Sequence, residues 1–78
     1  MNPSPATQVI DAREMEPPEP MVLTLEALDT LGPDDRLLLI LTREPYPLYR
    51  ALQSRGFTHK TDITPQGTVE ILIWRQPA

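Results

Sequence analysis

The chain has 78 residues, a formal net charge of −4 and no cysteine, which suits one domain with a small core and excludes disulfides, thiolate zinc sites and iron–sulfur clusters. Its seven basic residues are scattered, and because nucleic-acid affinity depends on clustered lysine and arginine, we expect no nucleic-acid partner. The N-terminus lacks a basic start with an apolar run, and no apolar stretch approaches the roughly 20 residues that span a bilayer, so we expect a cytoplasmic protein without a membrane partner.

The first half of the chain predicts a strand, a helix and a second strand. Residues 1–7 are expected to form a disordered tail before a single domain at residues 8–76, which opens with a short strand at Gln8 to Asp11. A helix from about Pro20 to Leu31 is indicated by apolar residues at three- and four-residue spacing, and a Gly-Pro pair ends it. Five consecutive apolar residues, Leu37 to Leu41, are typical of a central strand buried on both faces. The apolar helix positions are Met21, Leu25, Leu28 and Leu31.

The second half predicts a short helix and a hairpin. Pro45 and Pro47 open the helix and Gly56 ends it. The runs Phe57 to Ile63 and Val69 to Trp74 alternate in character around a turn that contains proline and glycine, which predicts two paired strands. The order β-α-β-α-β-β predicts an α/β fold, an α+β two-layer sandwich with two helices on one face of a mixed four-stranded sheet.

Two motifs in the first half carry a family resemblance. Ile10 to Glu14 reads Ile-Asp-Ala-Arg-Glu and is followed by Pro-Pro-Glu-Pro at Pro17 to Pro20, then by the helix and by Gly32 to Asp35. This pattern resembles the SirA/TusA-like domains of bacteria over nearly all of residues 9–75. In the sulfur-carrier members a Cys-Pro-x-Pro motif opens the first helix, and its cysteine holds a persulfide. Here the cysteine position is Pro17, so the resemblance implies the fold and not sulfur carriage.

The resemblance is closer to a cysteine-free, uncharacterised branch of that superfamily, a domain of unknown function. Members of the branch have a Leu-Asp-x-Arg-x-x-x-Pro-Pro-like opening and an Asp-Pro-x-Pro-Leu-like start of the second helix. The second motif appears here as Glu-Pro-Tyr-Pro-Leu at Glu44 to Leu48. No function is implied for this branch, so the resemblance adds a fold and no chemistry.

Prolines and glutamates cluster at both predicted helix starts. A helix N-terminus binds phosphate through unpaired N–H groups and its positive dipole, and proline removes donors while glutamate repels an anion. We therefore expect no phosphate or nucleotide site at either helix start. The residues concerned are Pro18, Pro20, Pro45 and Pro47, with Glu16, Glu19 and Glu44.

Charged residues follow the first two strands, and ligands gather outside the carboxyl ends of parallel strands in open α/β sheets. We therefore expect the two βα loops to form a candidate recognition edge. The alternative is a set of solvated or mutually paired charges, the more common condition of such groups on a surface. The predicted edge comprises Asp11, Arg13, Glu16, Pro18, Glu19, Pro20, Arg43 and Glu44.

The residue inventory offers little catalytic chemistry. His59 is the single histidine, and because metal sites need three or four ligands we expect it to be structural or exposed. The two serines, Ser4 and Ser54, lack the Gly-x-Ser-x-Gly context of a hydrolase nucleophile. We expect no enzymatic activity, no metal site and no cofactor.

The sheet face away from the helices is a second candidate surface. The last strand directs Leu72 and Trp74 to that face, and part of the Leu37 to Leu41 run joins them. Such an apolar patch is typical of an interface with a protein partner or a second copy. The alternative is that the tail, or the aliphatic stems of Lys60 and Arg75, covers it.

Together these features predict a noncatalytic, small protein-interaction or regulatory module that acts through the sheet face or the two-loop edge. The alternative is an accessory docking component of a sulfur relay or of a redox- or metal-related pathway. A small-molecule ligand is not indicated by any motif.

Overall fold

The computed structural model describes residues 6–77, which form four strands and two helices. Among these residues, neither helix has the length or apolar character that crossing a bilayer requires. Positions 1–5 of the predicted tail lie outside the described residues. The elements are β1 (Gln8–Asp11), α1 (Glu19–Leu28), β2 (Leu37–Leu41), α2 (Tyr46–Ser54), β3 (Phe57–Ile63) and β4 (Val69–Arg75).

The strands form one mixed sheet in the order β1-β2-β4-β3. β1 and β2 are parallel neighbours, with Ile10 opposite Leu39, and β4 lies antiparallel between β2 and β3. The carboxyl ends of β1 and β2 therefore meet at one edge, as predicted. Thr7, which the sequence placed in the tail, extends this pair because its N–H donates to the carbonyl of Arg36 at 2.9 Å.

The core lies between the helices and one face of the sheet. Alternate residues of the two central strands point into it, and Leu37, Leu39, Ile71 and Ile73 are fully buried. Leu28 of α1 and Leu52 of α2 belong to the same apolar cluster, so both helices cover the same face. The predicted two-layer α/β arrangement is confirmed.

Helix α1 is shorter than its apolar pattern predicted. It ends at Leu28, and the next three residues continue as a tighter turn in which the N–H of Leu31 donates to the carbonyl of Leu28 at 3.1 Å. Leu31 is still buried, because this turn keeps it on the core side before Gly32 and Pro33 lead away. The Leu31 carbonyl accepts a hydrogen bond of 2.8 Å from Nε of Arg75.

A small polar cluster holds α2 against β3. The ring of Tyr49 stacks on His59 with centroids 4.4 Å apart, and the Tyr49 hydroxyl lies 2.8 Å from Oγ1 of Thr61. Gly56, at a φ of +82°, supplies the left-handed residue that ends the helix and leads into β3. His59 therefore packs as a half-buried side chain between helix and sheet.

Candidate functional site

A groove of about 640 Å³ opens at the carboxyl ends of β1 and β2, between the starts of the two helices. Its lining comes from both βα loops and from the first turns of both helices, which is the edge where the sequence predicted a site. We call this feature the groove. It is lined by Ala12, Met15, Glu16, Pro17, Pro18, Pro20, Met21, Leu39, Leu41, Thr42, Arg43, Glu44, Pro45, Pro47 and Leu48.

The floor of the groove is apolar because the core ends there. Leu39 and Leu41 reach it from the inner face of β2, and Leu48 reaches it from the first turn of α2. Met15 and Met21 form part of the walls and are partly buried against the same core. Methionine is unbranched and flexible, so these walls can adapt their shape to an occupant.

Proline forms much of the groove rim and limits backbone donors there. Neither helix has a side-chain N-cap; Pro18 and Pro45 occupy the cap positions. The N–H of Glu19 donates to the Glu16 carbonyl at 2.9 Å, and that of Leu48 donates to the Pro45 carbonyl at 2.9 Å. The prolines at these positions have no N–H to offer a phosphate, and the donors of Glu19 and Leu48 are engaged. The absence of an anion site stays a prediction.

Glu44 is anchored at the α2 side of the rim. Its Oε2 accepts a hydrogen bond of 3.2 Å from the hydroxyl of Tyr49. Burial raises the pKa of Tyr49 above its ordinary 10.0, and the hydrogen bond from Thr61 partly opposes that change. The hydroxyl therefore stays protonated at neutral pH and holds the Glu44 carboxylate in place.

The edge around the groove is strongly acidic. It carries five acidic and two basic residues, a net charge of −3, whereas the remaining six acidic and five basic residues of the chain sum to −1. Arg43 is exposed and lines the groove together with Glu16 and Glu44. The acidic members are Asp11, Glu14, Glu16, Glu19 and Glu44, and the basic members are Arg13 and Arg43.

Asp11 and Arg13 lie beside the groove and form a pair of their own. Nε and Nη2 of Arg13 donate to the two Asp11 carboxylate oxygens at 2.9 and 2.7 Å. The side-chain hydrogen bond from Arg13 lowers the pKa of Asp11, and the same bond raises the pKa of Arg13. With Glu14 and Met15 they line a separate shallow depression of about 470 Å³. The pair therefore matches the alternative of mutually paired charges.

The structure thus brings together only part of the predicted recognition edge. Five predicted residues line the groove, namely Glu16, Pro18, Pro20, Arg43 and Glu44. Glu19 is exposed outside the lining, and Asp11 and Arg13 lie in the neighbouring depression. The sequence prediction missed Met15, Met21 and the leucine floor, although Met15 falls in the same loop and could have been found by its position after β1.

The second candidate surface is the sheet face without helices, which we call the open face. Its middle row runs across the sheet from Val9 through Leu38 and Leu72 to Lys60. The row on one side contains Asp11, Ile40, Glu70 and Asp62. On the other side lies Trp74, opposite Thr58, with the guanidinium of Arg36 4.7 Å from its ring centroid. Leu72 and Trp74 therefore lie on the predicted face.

The remaining titratable residues do not converge on a metal site. Within residues 6–77, no group of three or more histidine, cysteine, aspartate or glutamate side chains has the arrangement that would hold a metal ion. His59 is engaged in the stack with Tyr49. The groove lining contains one hydroxyl, on Thr42, and neither a thiol nor an imidazole.

Comparison with known proteins supports the SirA-like fold that the sequence predicted. A solved SirA-like protein from Desulfitobacterium hafniense has a TM-score of 0.79 against this chain and 19% sequence identity, covering 91% of this chain and 100% of its own. At this identity the likeness shows the fold alone. Curated proteins give no significant match. The match of residues 9–75 to the model of the uncharacterized conserved proteins of DUF2249 shows that the chain belongs to this family.

Proposed function

We propose that this protein is a noncatalytic protein-interaction module whose groove binds an apolar segment of a partner protein flanked by basic side chains. The observation that carries the proposal is the combination of an apolar floor with an acidic surrounding edge, which has a net charge of −3 and contributes Glu16, Glu44 and Arg43 to the groove lining. An apolar floor selects apolar side chains, and an acidic rim selects basic neighbours.

The groove favours recognition through side chains over recognition through backbone pairing. Five of its lining residues are prolines, which have no N–H to offer a partner strand. Met15 and Met21 provide adaptable apolar contacts instead. A partner therefore gains affinity chiefly by burying one or two apolar side chains against the floor formed by Leu39, Leu41 and Leu48.

The acidic rim adds selectivity for basic partners and raises the rate of association. Glu16 and Glu44 stand on opposite loops of the groove, so a basic residue on either side of the buried segment meets a carboxylate. Charges at the rim of an interface mainly steer encounter and weaken with salt. We expect binding to be faster and tighter at low ionic strength.

The side chains of the groove support a noncatalytic role. Nucleophilic catalysis needs a nucleophile beside a general base, and the lining offers the Thr42 hydroxyl with no imidazole next to it. An accessory role in a sulfur relay stays a prediction from the sequence, because no groove residue distinguishes a relay protein from another partner.

The proposal can be tested with methionine methyl groups as NMR reporters. Met15 and Met21 line the groove, and Met1 is the only other methionine. The probe is a synthetic peptide with two leucines flanked by lysines, and the control peptide replaces each lysine with glutamate. We expect the Met15 and Met21 methyl signals to shift with the basic peptide alone. Equal shifts with the acidic peptide, or none with either, would contradict the proposal.

A matched pair of variants tests whether the effect of charge on peptide binding arises at the groove rim. Glu16→Lys changes the rim, whereas Glu26→Lys makes the same change of charge on an exposed position of α1 outside the groove. We expect Glu16→Lys to weaken binding of the basic peptide several-fold more than Glu26→Lys does, with the difference shrinking at high salt. Equal weakening by both would show that only net charge matters and that the groove is not the site.

A further inference from the structure

The open face is an apolar surface that no helix covers. Five apolar side chains form a continuous patch across β1, β2 and β4, and Val9 at its margin is 57% exposed. The patch consists of Val9, Leu38, Ile40, Leu72 and Trp74. Contiguous apolar surface of this kind on a sheet is typical of an interaction site.

The charges around this patch identify its occupant. The open face carries three acidic and three basic side chains and is therefore neutral, in contrast to the chain at −4 and the groove edge at −3. Two copies of an acidic chain repel each other least where the contacting surfaces are neutral and carry separated charges of both signs. The acidic residues are Asp11, Asp62 and Glu70, and the basic residues are Arg13, Arg36 and Lys60.

We propose that a second copy of this chain binds the open face, so that two sheets stack with their strands running in reversed directions. In this arrangement the row that contains Glu70 packs against the row that contains Trp74 in the other copy. Since the Arg36 guanidinium lies over the Trp74 ring, Glu70 of each copy meets Arg36 of the other. Stacking with strands in the same direction would instead place Asp11 against Asp62 in two places, whereas the reversed arrangement brings together one like pair, Lys60 and Lys60 of the other copy, and gains two pairs of Glu70 with Arg36.

Two other occupants fit the face less well. Arg75 lies on the helix side, where its guanidinium is 5.0 Å from the Phe57 ring centroid, so its stem does not cover the patch. Lys60 lies on the open face opposite Leu72, so its stem adjoins only the β3 side of the patch. Residues 1–5 read Met-Asn-Pro-Ser-Pro and offer a single large apolar side chain for a patch of five.

The size of the face indicates a weak dimer. With strands about 4.8 Å apart and about 3.4 Å per residue, four strands of this length present roughly 400 Å² in each copy. Two copies then bury roughly 800 Å², below the roughly 1,200 Å² at which stable interfaces begin. We expect a reversible dimer with a dissociation constant in the micromolar to millimolar range.

Charge reversal in separate copies tests both the face and the arrangement. In Arg36→Glu both residues of the proposed pair are acidic, and in Glu70→Arg both are basic. Sedimentation equilibrium up to about 1 mM should show each variant dimerising roughly tenfold more weakly than the unaltered chain. An equimolar mixture should dimerise again, because each pair then joins unlike charges. Arg55→Glu and Glu26→Arg, exposed positions on the helix side, are the matched controls and should dimerise as the unaltered chain does.

Each possible result of these measurements either supports or overturns the proposed dimer. Monomers throughout the concentration range for the unaltered chain overturn the proposal, as does dimerisation that the open-face variants leave unchanged. Weakening by both variants without recovery in the mixture overturns the reversed arrangement. Circular dichroism of each variant verifies that the fold is retained, and Leu38→Lys, which changes the centre of the patch and not the core, should also abolish the dimer.

Discussion

Thr24 is a buried residue of α1 whose replacement by valine should stabilise the protein. The side chain is fully buried, and no residue in the described part of the chain gives its Oγ1 a hydrogen bond. An unsatisfied buried hydroxyl costs about 1–3 kcal/mol, and valine replaces it with a methyl group of the same shape. Threonine and valine have similar helix propensities, so no helix penalty offsets this gain.

The assay is thermal unfolding of Thr24→Val followed by circular dichroism. For a chain of this size 1 kcal/mol corresponds to a change in Tm of about 4–8 °C, so we expect a rise of at least about 4 °C. Thr61→Val is the matched control, because its hydroxyl is engaged with Tyr49 at 2.8 Å and its loss should cost about 0.5–1.5 kcal/mol. A Tm for Thr24→Val at or below that of the unaltered chain would refute the reasoning.

Two further predictions concern the core and the surface pair. Leu39→Ala, at a fully buried position, should lower the free energy of unfolding in urea by about 2–5 kcal/mol. Leu38→Ala on the open face should lower it clearly less. Equal losses would contradict the assignment of the two faces. Since the hydrogen bond from Arg13 holds the pKa of Asp11 below its ordinary 3.8, ionised Asp11 favours the folded state above that pH, and the benefit is lost as the pH falls through the lower, folded pKa. Asp11→Asn should therefore lower the Tm slightly at neutral pH, and the difference should shrink as the pH falls below 3.8 and through the folded pKa. A difference that stays constant into acid would show that the charge is not responsible.

The order and type of the elements follow from local patterns in the sequence. The five-residue apolar run at Leu37 to Leu41 predicted the central strand with the bounds that the structure has, but the expectation that both faces are buried was wrong, because Leu38 and Ile40 on the second face are only partly buried. Alternation in the second half predicted the hairpin, and the prolines and Gly56 predicted where α2 begins and ends. These features depend on neighbouring residues, through side-chain periodicity, the missing N–H of proline and the conformational freedom of glycine.

The sequence predicted the position of the candidate site but not all of the residues that form it. The rule that ligands gather at the carboxyl ends of parallel strands directed attention to the two βα loops, and the groove lies there. Its apolar floor was not predicted, because Leu39 and Leu48 come from separate elements and meet only in the packed domain. Asp11 and Arg13 were expected in the same cluster, but they are close enough in sequence to bond to each other instead.

The sequence by itself determined the elements, the family resemblance and the separation of apolar from charged residues, since each is encoded within a few neighbouring positions. Only the tertiary structure decided that β4 lies between β2 and β3, that Thr24 is buried without a partner, and that His59 stacks on Tyr49. These outcomes depend on contacts between residues far apart in the chain, where several strand orders satisfy the same local pattern. The placement of β4 is also what sets Leu72 and Trp74 beside Leu38 and Arg36, and so produces a neutral apolar face opposite the helices.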